Sequence, residues 1–431
     1  MSLHSFTMAC ALGATIVLLS SLGVSAESSP GLTLSRALQR AAAANPKISA
    51  AGGNIGIAAG KQVQAAAIPN PEVSFELDNA FGTGDYRGLR SAETTLQISQ
   101  LIELGGKRDA RIRVASAELE SARWERAAVR LEVLSDTAVA FFNVLSGQRK
   151  LQIFDARIAA LNRLTPLLQR RVDAGASSPG EIARAQVAAD LVRAERERVR
   201  TALAIARREL AVLMGANAVN FPYVVGDLGK VARPAAFQTV LRGLDSNPQL
   251  IRWTAVRAQR DAELLSEHLK PIPDLRIGVG WKHIRQATEL GSRSDDAVRL
   301  DASIPIPLWD QNLGNISAAE AARTKVEAER EASKATLILT LAKAYDTLNG
   351  ALREIDVLRS SALPNAQRAI DEFESGYSQG RFTLLEVLDA LSALYEAELR
   401  ELEALASFHT SVATIEGLTG FRLGLTRERG R

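Results

Sequence analysis

Residues 274–282 read Asp274-Leu275-Arg276-Ile277-Gly278-Val279-Gly280-Trp281-Lys282, with an apolar side chain on every second position from Leu275 to Trp281. Such alternation puts the apolar residues on one face of a β-strand and the polar ones and glycines on the other. A second run answers it, in which Val298, Leu300, Ala302 and Ile304 alternate with Arg299, Asp301 and Ser303. An earlier pair has the same form: Val73, Phe75 and Leu77 against Glu72, Ser74 and Glu76, then Ala92, Thr94, Leu96 and Ile98 against Glu93, Thr95 and Gln97. The expected strands are 71–79, 92–102, 273–283 and 297–305, joined in pairs by polar, glycine-bearing loops from Gly82 to Gly88 and from Gln286 to Asp296. Their length and pattern match a membrane-spanning barrel. A soluble antiparallel sheet with one wet face gives the same alternation. Four strands cannot close a barrel, so the membrane reading requires several protomers.

Each strand pair is followed by an unusually long helical pattern. Only Gly147 and Pro166 interrupt residues 107–172, and only Gly350 and Pro364 interrupt residues 315–374. At 1.5 Å per residue such a run spans on the order of 100 Å, far beyond a compact domain. Apolar residues recur at spacings of three and four, as in Leu131, Leu134, Ala138, Phe141 and Leu145, or Leu337, Leu341, Tyr345, Leu348, Leu352 and Ile355. That is a coiled-coil seam. Return helices are expected over 179–214 and 384–418, reached through the turns 173–179 and 375–380. The mixed-charge run Arg193 to Arg198 reads as a solvated face.

The chain repeats itself. Asn45-Pro46-Lys47-Ile48 returns as Asn247-Pro248-Gln249-Leu250, and Pro69 to Val73 faces Pro271 to Leu275. Gly175, Glu181 and Ala185 face Gly380, Glu386 and Ala390, and Leu213-Met214-Gly215 faces Leu418-Thr419-Gly420. The sequence therefore divides into a leader over 1–26, a first repeat over 27–230 and a second over 231–431, each a strand hairpin continued by a helical hairpin.

The leader has no Lys, Arg, Asp or Glu, an apolar run through Ala11 to Leu22, and Val24-Ser25-Ala26 before Glu27, the pattern of a secretory signal peptide. Cys10, the only cysteine, lies inside it, so the mature chain has no disulfide and no thiolate. With 52 basic and 49 acidic residues, charge is close to balance and gives no basic surface for nucleic acid. His268, His283 and His409 are widely separated and lack metal-ligand spacing. There is no phosphate loop, dinucleotide fingerprint or nucleophile elbow, and Gly105-Gly106-Lys107 lacks the upstream glycine of a phosphate cradle. Enzymatic chemistry, cofactors and a resident metal are not expected.

Gly376-Tyr377-Ser378-Gln379-Gly380, followed by Glu386-Val387-Leu388-Asp389-Ala390 and Leu394-Tyr395, resembles the periplasmic tip of TolC family outer-membrane efflux factors. Leu101 to Arg108 and Pro305 to Ile316 resemble segments of its heavy-metal subgroup, the CzcC-like proteins of cobalt-zinc-cadmium resistance. The resemblance covers essentially the whole mature chain. It implies a mainly α fold with membrane β-strands: a homotrimer whose 12-strand outer-membrane β-barrel continues into a long periplasmic α-helical barrel. It also implies docking to a periplasmic adaptor protein and an inner-membrane pump of the resistance-nodulation-division type. By the same resemblance Glu386 and Asp389 would form a pore constriction, and the turns around Gly175, Ser178, Gly380 and Thr383 would contact the adaptor. The family carries a basic residue at the position of Phe382, while Arg381 stands one place earlier. Crowded carboxylates attract cations, which makes a selective constriction reasonable. The resemblance of Pro305 to Ile316 to the heavy-metal subgroup implies divalent heavy metals as the cargo. Two other readings stand beside it: an outer-membrane factor for drug or type I protein export, and a poreless periplasmic coiled-coil adaptor.

Overall fold

The computed structural model describes residues 31–288 and 291–420. The expected leader over 1–26 lies outside the described residues. In chain order the elements are β1 (Leu32–Thr33), α1 (Leu34–Ala44), α2 (Pro46–Ala65), β2 (Glu72–Asp78), β3 (Glu93–Ile102), α3 (Lys107–Asp173) and α4 (Pro179–Leu213). After β4 (Val224–Val225) the series runs again: α5 (Phe237–Arg242), α6 (Pro248–Leu269), β5 (Leu275–Thr288), β6 (Gly291–Ser303), α7 (Leu313–Val357), a π-helical turn (Leu358–Ala362), α8 (Leu363–Ser378) and α9 (Leu384–Thr419). β1 pairs in parallel with β4, so the linker between repeats is tied to the start of the first.

The landmarks that recur in the sequence turn out to touch one another. Asn45 and Asn247 cap α2 and α6, accepting the N–H groups of Lys47 at 2.9 Å and Gln249 at 2.7 Å. A proline follows each, at a helical position that needs no N–H. The amide nitrogen of each asparagine donates to the end of its return helix, at the Leu213 carbonyl (2.8 Å) and the Leu418 carbonyl (2.7 Å). Gly215 then turns the chain with φ of +76°, where a Cβ would overlap the Ala44 carbonyl. Each Asn-Pro and Leu-x-Gly pair is thus one joint, and both asparagines are buried in it.

The main sheet has the order β2-β3-β5-β6, antiparallel throughout. Its register sets Val73, Ile98, Val279 and Leu300 in one row and Phe75, Leu96, Trp281 and Val298 in the next. All eight are exposed. On the opposite face Glu72 pairs with Arg276, Glu93 with Lys282, and Glu76 with Arg299. The two faces are not geometrically equal. Gln97 on β3 and Asp301 on β6 hydrogen-bond over the intervening β5, passing above Gly278, where a Cβ would overlap both. Strands two apart lie about 10 Å from each other, within the combined reach of a glutamine and an aspartate when the residue between them has no side chain, and Gly278 leaves that gap on the polar face.

One expectation is corrected and one is refined. The loop expected from Gln286 to Asp296 is strand instead: β5 and β6 pair out to Thr288 and Gly291, with only residues 289–290 between them. Polar residues there face water on both sides, and the backbone ladder still satisfies its own N–H and C=O groups. The long helix of the second repeat, expected over 315–374, runs from Leu313 to Ser378 and takes up a π turn just before Pro364 without leaving the helical conformation. Proline lacks the N–H and crowds the carbonyl four residues earlier, and the wider turn absorbs that conflict. In the first repeat Pro166 is accommodated within α3, which runs unbroken for 67 residues. Among the described residues no helix is long and apolar enough to cross a membrane.

Candidate functional site at the hairpin tips

Two turns form the helical end of the chain farthest from the sheet. In the first, Gly175 adopts φ of +67° and the Ala176 N–H reaches back to the Arg171 carbonyl at 2.8 Å. In the second, Gly380 adopts φ of +75° and the Arg381 N–H reaches the Gly376 carbonyl at 2.8 Å. Both are left-handed helix stops, which explains the paired glycines. Ser178 and Thr383 then cap the return helices. All four residues expected to dock an adaptor, Gly175, Ser178, Gly380 and Thr383, are exposed on these turns.

The turns are bolted together through Tyr377, only 2% exposed. Its hydroxyl donates to Glu181 of α4 at 2.9 Å. The Arg171 guanidinium of α3 lies 4.6 Å from its ring centre and donates to its carbonyl at 2.5 Å, while also donating from Nε to Ser177 Oγ at 3.0 Å. Burial pushes the Tyr377 phenol above its ordinary pKa, so it remains a neutral donor. Beneath the second turn Phe382 packs edge-on against Phe373 at 4.7 Å and covers Gly376, where a Cβ would overlap its ring. Phe382, noted in the sequence as a departure from the resembling family, is thus an aromatic wedge. Sequence reading assigned no role to Arg171 or Tyr377. The Gly376-Tyr377 pair was visible as a motif, but its partners lie about two hundred residues earlier and carry no local signal.

Glu386 and Asp389 are both exposed, three residues apart near the start of α9. Their roles differ. Glu386 Oε2 accepts the Thr383 N–H at 2.7 Å and the Thr383 hydroxyl at 2.8 Å, and Thr383 Oγ1 accepts the Glu386 N–H at 3.4 Å. This reciprocal capping box satisfies two helix-end donors. The Thr383 N–H and hydroxyl hold the Glu386 carboxyl below its ordinary range. Asp389 has no hydrogen-bonding or ionic partner among the described residues and is the free carboxylate of the pair. In the first repeat the equivalent Glu181 is committed to Tyr377, and Arg184 stands where an aspartate would match.

Elsewhere the histidines stay apart. His409 is buried, stacked on Phe142 at 4.8 Å with Nε2 3.0 Å from the Leu228 carbonyl, and burial lowers its pKa. His283 lies 2.8 Å from Asp296 on the sheet. Among the described residues no group of three or more His, Cys, Asp or Glu side chains is placed to hold a metal ion.

The family model for outer membrane efflux proteins matches the chain twice, over residues 37–216 and 242–421. The chain belongs to the outer membrane efflux protein family. As an outer membrane efflux protein it is a transport component of the outer membrane, and the two matches fall on its two repeats. It is 29% identical to the cobalt-zinc-cadmium resistance protein CzcC of Cupriavidus metallidurans over 394 residues, 91% of each chain. It is 23% identical to the outer membrane protein TolC of Salmonella enteritidis over 385 residues, covering 85% of this chain and 77% of that one. The crystal structure of a membrane protein from Pseudomonas aeruginosa superposes with a TM-score of 0.76 at 17% identity, covering 90% of this chain and 92% of that one. The fold is therefore the TolC-like one, mainly helical with membrane strands.

Proposed function

We propose that three copies of this chain form the outer-membrane channel of a tripartite efflux system and that it conducts divalent heavy-metal cations from periplasm to exterior. The observation that carries the channel is the sheet: four strands with one charged face and one exposed apolar face, and with β2 and β6 each left unpaired on one side. Pairing β6 of one copy with β2 of the next repeats the sheet head to tail, and three repeats give the 12 strands of a barrel with a polar lumen. The row of helices ends similarly, with exposed Val187 and Leu191 on α4 and exposed Leu339 and Val357 on α7 available to a neighbour. Family membership favours this channel over the poreless adaptor. The cargo reading rests on the likeness to CzcC, which extends over more of the chain at higher identity than that to TolC.

At the tips, three copies would set six carboxylates, from Glu386 and Asp389, around the axis. Because Glu386 is held in its capping box, Asp389 supplies the more mobile charge. The turns carrying Gly175, Ser178, Gly380 and Thr383 present themselves to a periplasmic adaptor, which links the channel to an inner-membrane resistance-nodulation-division pump. Deletion of the gene tests the cargo. Loss of zinc, cobalt or cadmium tolerance, restored by the wild-type copy, is the expected result. Unaltered metal tolerance with new sensitivity to drugs, or loss of a secreted protein, would move the assignment to drug or type I protein export.

A further inference from the structure

The apolar belt on the strands is too short for a membrane. On β5 it runs from Leu275 to Trp281, and the next outward position, His283, pairs across to Asp296 and is polar. Six residue steps give roughly 20 Å along the strand and about 15 Å along the membrane normal at a 45° tilt. An outer-membrane barrel presents an apolar band of about 25 Å. On β5 and β6 the shortfall is not made up at the outer end, where the next outward rows are His283 with Asp296 and Arg285 with Ser294.

At the helical end the chain leaves β6 with the opposite character. Ile304 continues the outward row of Leu300 and Ala302, and Pro305-Ile306-Pro307-Leu308-Trp309 follows before α7. Ile306 is 73% exposed, Leu308 64% and Trp309 91%, the most exposed large apolar residue among those described. Two prolines restrict the segment, and its far end is pinned where Asn312 donates to the Glu267 carbonyl (2.9 Å) and carboxylate (2.8 Å). It is a fixed apolar ledge rather than a tail.

We infer that Ile304 to Trp309 is a lipid-facing anchor that extends the belt on the periplasmic side, with the Trp309 indole seated at the headgroup level of the inner leaflet. Eight residue steps from Val298 to Ile306 supply roughly 26 Å of chain, about 19 Å along the normal. The chain then turns, the Leu308 N–H reaching the Ile306 carbonyl at 2.9 Å, and the exposed Leu308 and Trp309 side chains carry the apolar surface beyond that point and narrow the gap to the band a barrel requires. Trp suits the boundary because its ring is apolar and its N–H needs a polar partner. The lipid, rather than a second copy, is the occupant chosen by this deficit and by continuity with the outward strand rows. The inference rests on the barrel reading of the sheet.

The test uses the full chain reconstituted in vesicles of brominated phosphatidylcholine, with Trp124→Phe and Trp253→Phe introduced to silence the two helical indoles. Adding Trp309→Phe or Trp281→Phe leaves Trp281 or Trp309 as the single reporter. Trp281, at the outer end of the belt, is expected to be quenched most by bromines near the carbonyls rather than by those deep in the chains. Trp309 is expected to lose roughly half its emission, most strongly to bromines near the carbonyls. Quenching of Trp281 with none of Trp309 would overturn the anchor while leaving the barrel intact, and would place a neighbouring copy or water over the segment. Absence of quenching at both positions would overturn the barrel reading and the anchor together.

Discussion

The two hairpin tips descend from one pattern and have been put to different uses. In the first, Ser178 caps its helix, Pro179 occupies the first helical position, and Glu181 is committed to the Tyr377 hydroxyl. In the second, Thr383 and Glu386 form a closed capping box, and Asp389 faces water unpaired. One tip grips its sister, and the other keeps a free charge. A duplication lets one copy become the clamp while the other carries the exposed carboxylate, because the same acidic position need not do both.

The grip is broken most severely by Tyr377→Ala. The substitution empties a buried ring site, leaves the Glu181 carboxylate without the phenol and removes the ring beneath the Arg171 guanidinium, and should cost about 3 kcal/mol or more in urea unfolding followed by helical circular dichroism. Tyr377→Phe removes the hydroxyl alone and should cost about 1 kcal/mol, which separates the bond to Glu181 from packing. Gly376→Ala should cost about 1–3 kcal/mol, since the new methyl overlaps Phe382, whose ring is wedged against Phe373. If Gly376→Ala is neutral, the wedge is looser than its geometry indicates.

The capping difference gives a smaller effect. Thr383→Ala should cost about 1 kcal/mol, and Ser178→Ala less, because Pro179 already presets the first turn of α4. The box also has a pH signature. Glu386 has a depressed folded-state pKa, so its stabilising contribution is present above the ordinary carboxylate range and is lost as pH falls through the folded value. Acid should therefore loosen the start of α9 in the wild type and less in Glu386→Gln, which keeps the reach of the side chain without the titration. Amide hydrogen exchange at residues 384–388 reports this directly.

Asp389→Asn should leave stability nearly unchanged and lower the cation preference of the channel in a planar bilayer. Glu386→Gln is the matched control, since replacement by Ala would remove a cap and a charge at once. An unaltered reversal potential in the double variant would remove both residues from the constriction.

What the sequence disclosed followed the range of the interaction. Strands, helices and glycine stops were legible because alternation, spacing of three and four, and left-handed turns leave local traces. The asparagine joints were seen as a repeated motif, but not as contacts, because Asn45 and Leu213 meet only after a helical hairpin has folded back. The π turn escaped because Pro166 and Pro364 look alike in one dimension, and only one of the two helices takes up a wider turn beside its proline. Pairing of β5 and β6 past the expected loop was hidden for a different reason: a ladder wet on both faces needs no apolar pattern. At the site, Glu386 and Asp389 looked equivalent, and a hydrogen bond from Thr383 separates them.

The bond from Gln97 to Asp301 over Gly278 joins one repeat to the other, and so does the β3–β5 ladder beneath it. Each strand hairpin can form from neighbours in the chain, but the seam between them closes a loop running from Ile102 to Leu275. Loop closure of that length is slow compared with helix formation, so the helices are in place while β3 still carries a bare edge and an apolar face. A sheet whose central seam closes last leaves its apolar face and unpaired edge as the surface to be covered before the protein is finished.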